Sequence, residues 1–263
     1  MGVQTKIDLK EAQLLFPSYN FQTLQATKDG VMDTTYLLDA FILKKYERDI
    51  SEQVLLDAKI LQKFSKASLR VPLLVEQKSS WYLYTRLKGE LPKNTHYYHI
   101  QALARFMAKM HRVSAKEQSC ARNFLEEYSL CKLLKFTKTH FFFYYKKLQK
   151  LQNYKFKNDS FIHGDIFKDN TIFDGEHIAV FDFIDGGVGA FSFDIAVALI
   201  SFNPRAKPSL TKLFLNTYNQ NAPKKISIHK LHTELQVASQ LYSLLRIDKH
   251  KSTKQAKLLN NFW

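Results

Sequence analysis

Residues 161–170 read FIHGDIFKDN and decide the fold class of this chain. Asp165 and Asn170 stand five positions apart, on what we expect to be one tight loop. An aspartate there can accept the proton of an attacking hydroxyl, and an asparagine can hold a magnesium ion that bridges nucleotide phosphates. Asp182 follows Asn170 by twelve positions and supplies a second carboxylate for magnesium. Together the three side chains indicate phosphoryl transfer.

The residues between Asn170 and Asp182 predict a β-hairpin. Residues 171–173 read as a short strand, an Asp-Gly pair follows as a strong turn signal, and residues 177–183 read as the returning strand. Such a hairpin folds Asp182 back beside Asp165. The alternative is a polar turn whose Asp and Asn side chains bind only their own backbone. The spacing of the whole set favours the hairpin.

This set resembles the aminoglycoside phosphotransferase-like family of small-molecule kinases. The resemblance implies an α+β, bilobal protein kinase-like fold. Residues 1–85 would form an N-lobe with a small antiparallel β-sheet, and residues 86–263 a mostly helical C-lobe. It also implies ATP as the phosphate donor and Mg²⁺ as the metal. On the family pattern Asp165 is the catalytic base, while Asn170 and Asp182 are the metal ligands.

Two further polar residues are expected to be structural. Asp194 opens a predicted helix, in an Asp-Ile-Ala stretch that the family pattern shares. We expect the free amides and the dipole of that helix N-terminus to stabilise its carboxylate. His111 closes another predicted helix, and we expect it to be packed and hydrogen-bonded rather than catalytic.

A strand is predicted at residues 41–46, and its lysines are candidates for binding phosphates. Period-two alternation puts Ile42 and Lys44 on one face. A kinase needs this pairing, because an apolar residue lies against the adenine and an ammonium group meets the phosphates. Lys44 is the first candidate and Lys45 the second. The alternative is a solvated lysine at a strand end.

A helix predicted at residues 51–65 carries the candidate partner of Lys44. The family has a glutamate there that pairs with the strand lysine, and this chain offers Asp57, which is one methylene shorter. Glu52 is a possible substitute. The alternative for either is an ordinary exposed acid on a helix.

The other residues of the predicted ATP site lie in a turn and in the hinge between the lobes. Gly30 stands before Thr34 and Thr35, whose hydroxyls could donate to phosphate together with backbone amides. A plain hairpin turn is the alternative for Gly30. Arg86 and Leu87 follow a predicted strand at the expected hinge between the lobes, where backbone groups would meet adenine.

The acceptor is predicted from a closer resemblance, to the bacterial homoserine kinases of this superfamily. Phe167 and Asp169 make the loop more similar to that branch than the superfamily minimum requires. The branch also has an apolar helix near its C-terminus that ends in an arginine, here Arg246. A guanidinium pairs bidentately with a carboxylate, although a surface role is an equal alternative. We predict a substrate site of Asp165, Asp185 and Arg246.

Two departures keep other acceptors open. The chain is shorter than is usual for the branch, and residues 185–189 are small where the branch has bulkier ones. Kinases for choline, an aminoglycoside or thiamine are therefore the alternatives. A non-catalytic kinase-like binding module is the non-enzyme alternative.

The composition indicates a basic globular protein. The chain has 263 residues, of which 45% are apolar, and 39 Lys and Arg against 24 Asp and Glu give a net charge of +15. Such a charge attracts polyanions, and residues 135–157 combine lysines with aromatics, as nucleic-acid binding surfaces do. We interpret that segment instead as a helix with its aromatics packed inward, so a nucleic-acid partner is not expected.

The cysteine content and the hydropathy suggest a cytoplasmic location. The only cysteines are Cys120 and Cys131, and free thiols suit a reducing compartment. No apolar run approaches the ~20 residues of a membrane span, so no membrane contact is expected. The sequence gives no oligomeric state.

Overall fold

The computed structural model describes residues 3–27, 33–115, 124 and 129–262. The chain divides into two compact units, Met1–Lys88 and Gly89–Trp263. The first is built on a small antiparallel sheet, and the second is mostly helical. This α+β organisation agrees with the prediction.

The first unit contains a five-stranded sheet with the order β1-β2-β3-β5-β4, in which all neighbours are antiparallel. Its strands are β1 (Gln25–Ala26), β2 (Thr34–Leu38), β3 (Phe41–Lys45), β4 (Leu74–Lys78) and β5 (Trp81–Thr85). Two helices accompany them, α1 (Leu9–Leu15) and α2 (Ser51–Lys66). Helix α2 buries Val54, Leu61 and Phe64, the apolar positions that recur at helical spacing.

One face of this sheet is covered by α1 and the segment after it. The buried cluster there joins Ala12 and Phe16 to Leu43, Trp81 and other apolar side chains of β2, β3 and β5. Since side chains alternate along a strand, Leu43 and Lys45 belong to this covered face, and Ile42 and Lys44 belong to the opposite face. The two lysines of β3 are thereby separated.

The second unit has six α-helices in its described residues. They are α3 (Tyr97–Ser114), α4 (Leu130–His140), α5 (Phe142–Leu148), α6 (Phe191–Phe202), α7 (Pro208–Asn219) and α8 (Ile228–His250). Helix α6 buries eleven of its twelve residues. It packs against α8, while α3 packs against α7. An almost wholly apolar helix is stable only inside such a layer.

Two short antiparallel ribbons flank the predicted catalytic loop. Strand β6 (Ser160–Ile162) leads into the loop and pairs with β9 (Gly187–Gly189). Strands β7 (Thr171–Asp174) and β8 (His177–Val180) form the predicted hairpin, with Asp174 opposite His177. A short 3₁₀ helix, Lys168–Asn170, joins the loop to β7.

The interpretation of residues 135–157 as one helix with inward aromatics is wrong. Helix α4 ends at His140, α5 begins at Phe142, and a 3₁₀ helix follows at Gln149–Asn153. Phe142 and Phe143 are 54% and 67% exposed. Residues 141–145 are all aromatic, and a helix can turn only about every third or fourth residue toward one core.

Membrane-spanning segments are absent from the described ranges: no helix in residues 3–27, 33–115 or 129–262 is both long and apolar enough to cross a bilayer.

Candidate functional site

The predicted catalytic loop is closed by hydrogen bonds between Asp165 and Asn170. Asn170 Nδ2 donates to the backbone oxygen of Asp165 at 2.8 Å and to its carboxylate Oδ2 at 3.0 Å. The Phe167 amide donates to the same backbone oxygen at 2.8 Å. Because both partners of Nδ2 are acceptors, the amide orientation is fixed, and Oδ1 is the end left for a cation.

His163 connects this loop to the chain that precedes Asp182. Its Nδ1 accepts from the Asp165 amide at 3.1 Å, so Nε2 carries the proton and donates to the Phe181 carbonyl at 3.0 Å. The ring is completely buried. The sequence analysis recognised His163 only as part of the loop motif and did not predict that its ring connects Asp165 to Phe181.

Asp182 lies where the hairpin returns to the loop. The Phe181 amide donates to the Asn170 carbonyl at 3.1 Å, which places Asp182 beside Asn170 as predicted. Asp182 is exposed and has a positive φ of 66°. The left-handed region costs a non-glycine residue about 1–2 kcal/mol. Such conformations concentrate at functional sites, where the surrounding structure maintains them.

Asp194 holds the start of the loop by its backbone. Its buried carboxylate accepts from the Gly164 amide at 2.7 Å and from the His163 amide at 3.3 Å. The expectation that the N-terminal amides of its own helix stabilise Asp194 is thus corrected, because the main partners belong to the catalytic loop. The interpretation of Asp194 as structural agrees with this position.

His111 and Tyr218 complete a buried network behind Asp194. His111 Nε2 lies 2.9 Å from Asp194 Oδ2, and His111 Nδ1 lies 2.8 Å from the Tyr218 hydroxyl. Burial, followed by the charges of Asp194 and Asp159, raises the pKa of Tyr218, so this hydroxyl remains a donor. His111 is packed and hydrogen-bonded, as predicted.

The electrostatic environment of Asp165 favours its protonated form. Burial raises its pKa well above the usual value, and the charges of Asp169, Asp182 and Asp185 raise it further. The hydrogen bond from Asn170 opposes this shift. The four carboxylates therefore create a negative field around the loop, which a divalent cation would relieve.

The oxygen donors of Asn170 and Asp182 fit a hard divalent cation. Magnesium usually takes one or two carboxylate ligands and completes its shell with waters and substrate phosphates. Across the part of the chain that the structure describes, no group of three or more His, Cys, Asp or Glu residues could hold a metal by itself. The donor set at this loop thus fits a metal that is shared with phosphates.

Arg246 lies on α8 near the catalytic loop. Its guanidinium carbon stands 5.7 Å from the centre of the Phe167 ring, and one terminal nitrogen donates to the Gln255 carbonyl at 3.3 Å. Burial lowers the pKa of Arg246, while the charges of Asp169 and Asp165 oppose that shift. The charge of Asp185 acts on Asp165, and the charge of Asp165 acts on Arg246.

In the first unit, Lys44 and Lys45 occupy different environments. Lys45 Nζ donates to Thr5 Oγ1 at 3.0 Å and lies 3.9 Å from Glu47 Oε2. Lys44 is on the opposite face, where its Nζ stands 4.8 Å from the centre of the Tyr46 ring. Lys45 is therefore held on the covered face, and Lys44 is the lysine of β3 on the opposite face.

Asp57 is buried on α2, whereas Glu52 is exposed. The Tyr84 hydroxyl lies 3.2 Å from that of Tyr46. Burial is the largest cause that raises the pKa of Tyr84. The neighbouring Tyr46 and the charge of Asp57 raise it further, and the charge of Lys44 opposes this shift. Asp57 and Lys44 thus act on the same buried hydroxyl, which favours Asp57 over Glu52 as the acid beside Lys44.

The two threonines of β2 face opposite sides of the sheet. Thr34 is buried, its Oγ1 donates to Glu47 Oε1 at 2.6 Å, and it accepts from the Thr5 amide at 2.9 Å. The prediction that the Thr34 hydroxyl serves a phosphate disagrees with these contacts. Thr35 pairs with Lys44 across the strands and shares its face. Gly30 lies outside the described residues.

The predicted hinge residues follow β5. The Arg86 amide donates to the Ala40 carbonyl at 3.0 Å, and its side chain donates to the Asp39 carbonyl at 2.9 Å, so the amide predicted to meet adenine is already used. Within residues 33–115, no hydrogen bond uses the backbone of Leu87. Leu87 thus keeps both a donor and an acceptor.

Comparisons with known proteins agree with this geometry. A family model described as the phosphotransferase enzyme family matches residues 23–227. A search of curated protein sequences gave no significant match.

Solved structures share the fold at low sequence identity. The amicoumacin kinase hAmiN, in complex with AMP-PNP, Ca²⁺ and Ami, is 19% identical with a TM-score of 0.73, covering 97% of this chain and 90% of that one. The macrolide 2'-phosphotransferase MphH from Brachybacterium faecium is 16% identical with a TM-score of 0.69, covering 95% and 97%. The aminoglycoside phosphotransferase APH(2'')-Ib, bound to ADP, is 18% identical with a TM-score of 0.64, covering 97% and 98%. These likenesses confirm the predicted kinase-like fold.

The glycine of the loop provides a first test of this geometry. Gly164 has a φ of +75°, and an added Cβ would lie 1.9 Å from the Phe124 ring. We expect Gly164→Ala to lower the free energy of unfolding by about 2–5 kcal/mol, because a left-handed backbone and a clash add. Gly175→Ala is the matched control: its φ is +58° and nothing lies within 4 Å. It should cost only about 1–2 kcal/mol. Equal losses in urea unfolding would contradict the close packing at Gly164.

We expect the ionised form of Asp165 to lower the free energy of unfolding. Because its pKa is raised on folding, the folded state binds more protons than the unfolded state, and stability falls as pH rises through that interval. We expect Asp165→Asn to raise the melting temperature at pH 8 by at least about 2 °C, a gain on the order of 1 kcal/mol for this chain length. The gain should shrink as pH falls toward the ordinary aspartate range.

Asp174→Asn, at the exposed hairpin turn, is the control for this measurement. An Asn-Gly pair suits that turn as well as Asp-Gly does, so its melting temperature should stay within about 1 °C of the wild-type value. A lower melting temperature for Asp165→Asn across the whole pH range would show that the carboxylate is stabilising.

Proposed function

Because the chain belongs to the phosphotransferase enzyme family, whose members transfer a phosphoryl group to a hydroxyl group, we propose that it is an ATP- and Mg²⁺-dependent kinase of a small molecule. The observation that carries this proposal is the hydrogen-bonded arrangement of Asp165, Asn170 and the Phe181 backbone next to Asp182. In this proposal residues 1–85 form the nucleotide-binding lobe, and residues 86–263 form the catalytic lobe.

Asp165 is the proposed catalytic base. It orients the acceptor hydroxyl and takes its proton as the oxygen attacks the terminal phosphate. The raised pKa of Asp165 brings a carboxylate closer to the pKa at which a base is effective near neutral pH. The bond from Asn170 Nδ2 holds one carboxylate oxygen, so the other oxygen is the one that meets the hydroxyl.

Asn170 and Asp182 are the proposed Mg²⁺ ligands. A divalent ion held there would neutralise charge on the phosphates. The amicoumacin kinase carries AMP-PNP and Ca²⁺, and APH(2'')-Ib carries ADP, which supports a nucleotide and a divalent metal. Catalysis would then come mainly from positioning and charge neutralisation.

Lys44, Thr35 and Leu87 are the proposed nucleotide ligands of the N-lobe. The Lys44 ammonium would steady the phosphates, with Asp57 beside it on α2. Thr35 shares the face of Lys44 and offers a hydroxyl. The backbone donor and acceptor of Leu87 would meet the adenine edge. A role for Gly30 in covering the phosphates and one for Arg86 at the hinge remain sequence predictions.

The acceptor is proposed to be homoserine. Arg246, partly buried next to the ring of Phe167, offers a guanidinium for the carboxylate of a small amino acid. A second candidate is an aminoglycoside or another amino sugar, because Asp165, Asp169 and Asp185 make the loop acidic. The structural neighbours include kinases named for aminoglycosides and macrolides. Choline and thiamine remain further alternatives.

A cytoplasmic location is part of the proposal. ATP as the donor and a chain with only two cysteines fit a reducing compartment.

A panel of acceptors tests this function. Purified protein with ATP would be assayed for ADP release with homoserine, choline, thiamine, an aminoglycoside or no acceptor, each with and without Mg²⁺. We expect Mg²⁺-dependent stimulation by one acceptor and a loss of at least about 10³-fold in Asp165→Ala, since the general base and the alignment of the hydroxyl are both removed. Stimulation that persists in Asp165→Ala would refute the proposed base. ATP binding without stimulation by any acceptor would support the alternative of a non-catalytic binding module, and absence of ATP binding would refute an ATP-dependent kinase.

The two lysines of β3 allow a matched test of nucleotide binding. We expect Lys44→Met to weaken Mg²⁺-ATP binding about 10-fold or more, because a charge-assisted contact with phosphate is lost. Lys45→Met, one residue away on the covered face, should leave the dissociation constant within about twofold. Titration calorimetry measures both. A larger loss in Lys45→Met than in Lys44→Met would reverse the assignment.

A further inference from the structure

We propose that the exposed face of α5 and the lysine next to it on α4 bind the surface of a membrane that contains anionic phospholipids. This face, which we call the α5 surface, consists of the side chains of Lys138, Phe142, Phe143, Tyr145, Lys146 and Lys147. The contact is peripheral, because a helix that lies among lipid headgroups needs no membrane-spanning segment. The α5 surface contains none of the residues of the proposed catalytic site, so the inference is independent of the proposed kinase function.

Helix α5 turns apolar rings toward solvent. Tyr144 and Leu148 are buried, and their spacing of four positions places both on one side of the helix. Phe142 and Phe143 are instead 54% and 67% exposed. A phenylalanine ring has no polar atom, so two adjacent exposed rings are unfavourable in water. Such a patch is typical of a surface that contacts a partner.

The chain around α5 carries an excess of positive charge. Residues 132–157 contain eight lysines and no aspartate or glutamate. All eight are exposed, namely Lys132, Lys135, Lys138, Lys146, Lys147, Lys150, Lys155 and Lys157. Among the residues that the structure describes, no carboxylate forms an ion pair with Lys135, Lys138 or Lys146. A cluster of about four to eight lysines on a surface helix is typical of binding to anionic lipids.

The cations and the apolar rings alternate on one helix face. The Lys146 ammonium group stands 5.0 Å from the centre of the Phe142 ring, and that of Lys147 stands 4.6 Å from the centre of the Phe143 ring. Each lysine follows its ring by four positions, so both pairs lie side by side on the helix. An anionic membrane offers matching partners, because its phosphates lie directly above the apolar lipid chains.

The ring contacts favour a lipid surface over single-stranded nucleic acid. Phe142 stacks with Tyr145 at 6.2 Å between ring centres, and Lys138 stands 5.6 Å from the centre of the Tyr145 ring. A base needs an open ring face for stacking, whereas a ring edge can enter between lipid headgroups without breaking these contacts. Residues 132–157 also lack arginine, the cation that stacks on aromatic planes and binds phosphate bidentately.

The same charge argues against a second copy of this chain as the partner. In a two-fold symmetric contact, the α5 surface would meet itself. Its lysines would then face lysines, and like charges across an interface oppose association.

Vesicle flotation with the full chain tests this inference. Vesicles of phosphatidylcholine with about one third phosphatidylglycerol would be compared with vesicles of phosphatidylcholine alone. Each comparison would be made at about 50 mM and about 500 mM NaCl, since salt screens the lysines. We expect the wild-type chain to bind the anionic vesicles at least about 10-fold more strongly at low salt.

Two double variants separate the charges from the rings. Lys146→Gln with Lys147→Gln should weaken binding to anionic vesicles about 10- to 30-fold at low salt and much less at high salt, because the attraction is screened. Phe142→Ser with Phe143→Ser should weaken it about 10-fold at both salt concentrations, because burial of apolar rings is not screened.

The first unit offers a matched control for each variant. Lys10→Gln with Lys59→Gln removes two exposed charges, and Leu55→Ser with Leu56→Ser removes two adjacent exposed apolar side chains. Binding of both controls should stay within about twofold of the wild-type value. All four double variants change exposed side chains, so their melting temperatures should stay within about 2 °C of the wild-type value.

Several results would overturn the inference. These are equal binding to both kinds of vesicle, binding to neither, or losses in the controls as large as those in the α5 surface. Tighter binding of a single-stranded oligonucleotide than of anionic vesicles, lost in the variant of Lys146 and Lys147, would replace the lipid surface with nucleic acid. ADP release is a separate measurement, so failure of the proposed kinase function would leave the vesicle result unchanged.

Discussion

The buried carboxylate of Asp194 is the interaction on which the catalytic loop depends. It accepts from two successive loop amides, those of His163 and Gly164, and contacts the ring of His111. A charge inside a protein is tolerated only when hydrogen bonds replace its hydration. The loop amides replace part of the water that would otherwise hydrate this carboxylate. Because the Asp194 carboxylate needs these hydrogen bonds, it fixes the loop backbone. Helix α6, which carries Asp194, is in turn fixed because nearly all of it is buried.

A second connection runs from the loop to the hairpin through His163. One ring nitrogen accepts from the Asp165 amide and the other donates to the Phe181 carbonyl, so the same ring contacts the backbone of Asp165 and of the residue before Asp182. The Phe181 amide also binds the carbonyl of Asn170. These hydrogen bonds couple the proposed base to the proposed metal ligands, and phosphoryl transfer requires such groups to stay aligned.

The cluster of carboxylates around Asp165 lowers the stability of the protein without ligands and favours the binding of cations. Asp169, Asp182 and Asp185 disfavour the charge on Asp165, so the folded state carries an electrostatic penalty. A divalent cation or an ammonium group relieves that penalty when it binds. A site that is unfavourable when empty thus gains affinity for positive charge.

The sequence by itself determined the chemistry and its local setting. The spacing of Asp165, Asn170 and Asp182 with an Asp-Gly turn predicted the loop and hairpin, because turn type and strand period are local properties. Period-two alternation predicted that Ile42 and Lys44 share one face of the sheet, and the burial of Leu43 in the covered cluster agrees with this. The same rule applied to Thr34 and Thr35 would have shown that only one of these two adjacent hydroxyls shares the face of Lys44.

Tertiary structure decided what depends on contacts between distant segments. The partners of Asp194, the bridging role of His163 and the position of Arg246 beside Phe167 join residues that are up to 83 positions apart. Residues 141–145 show the same limit, because only packing decided that Tyr144 would be buried while Phe142 and Phe143 would be exposed. Local pattern fixes which residues can share a face, but which face meets a core depends on packing of the whole chain.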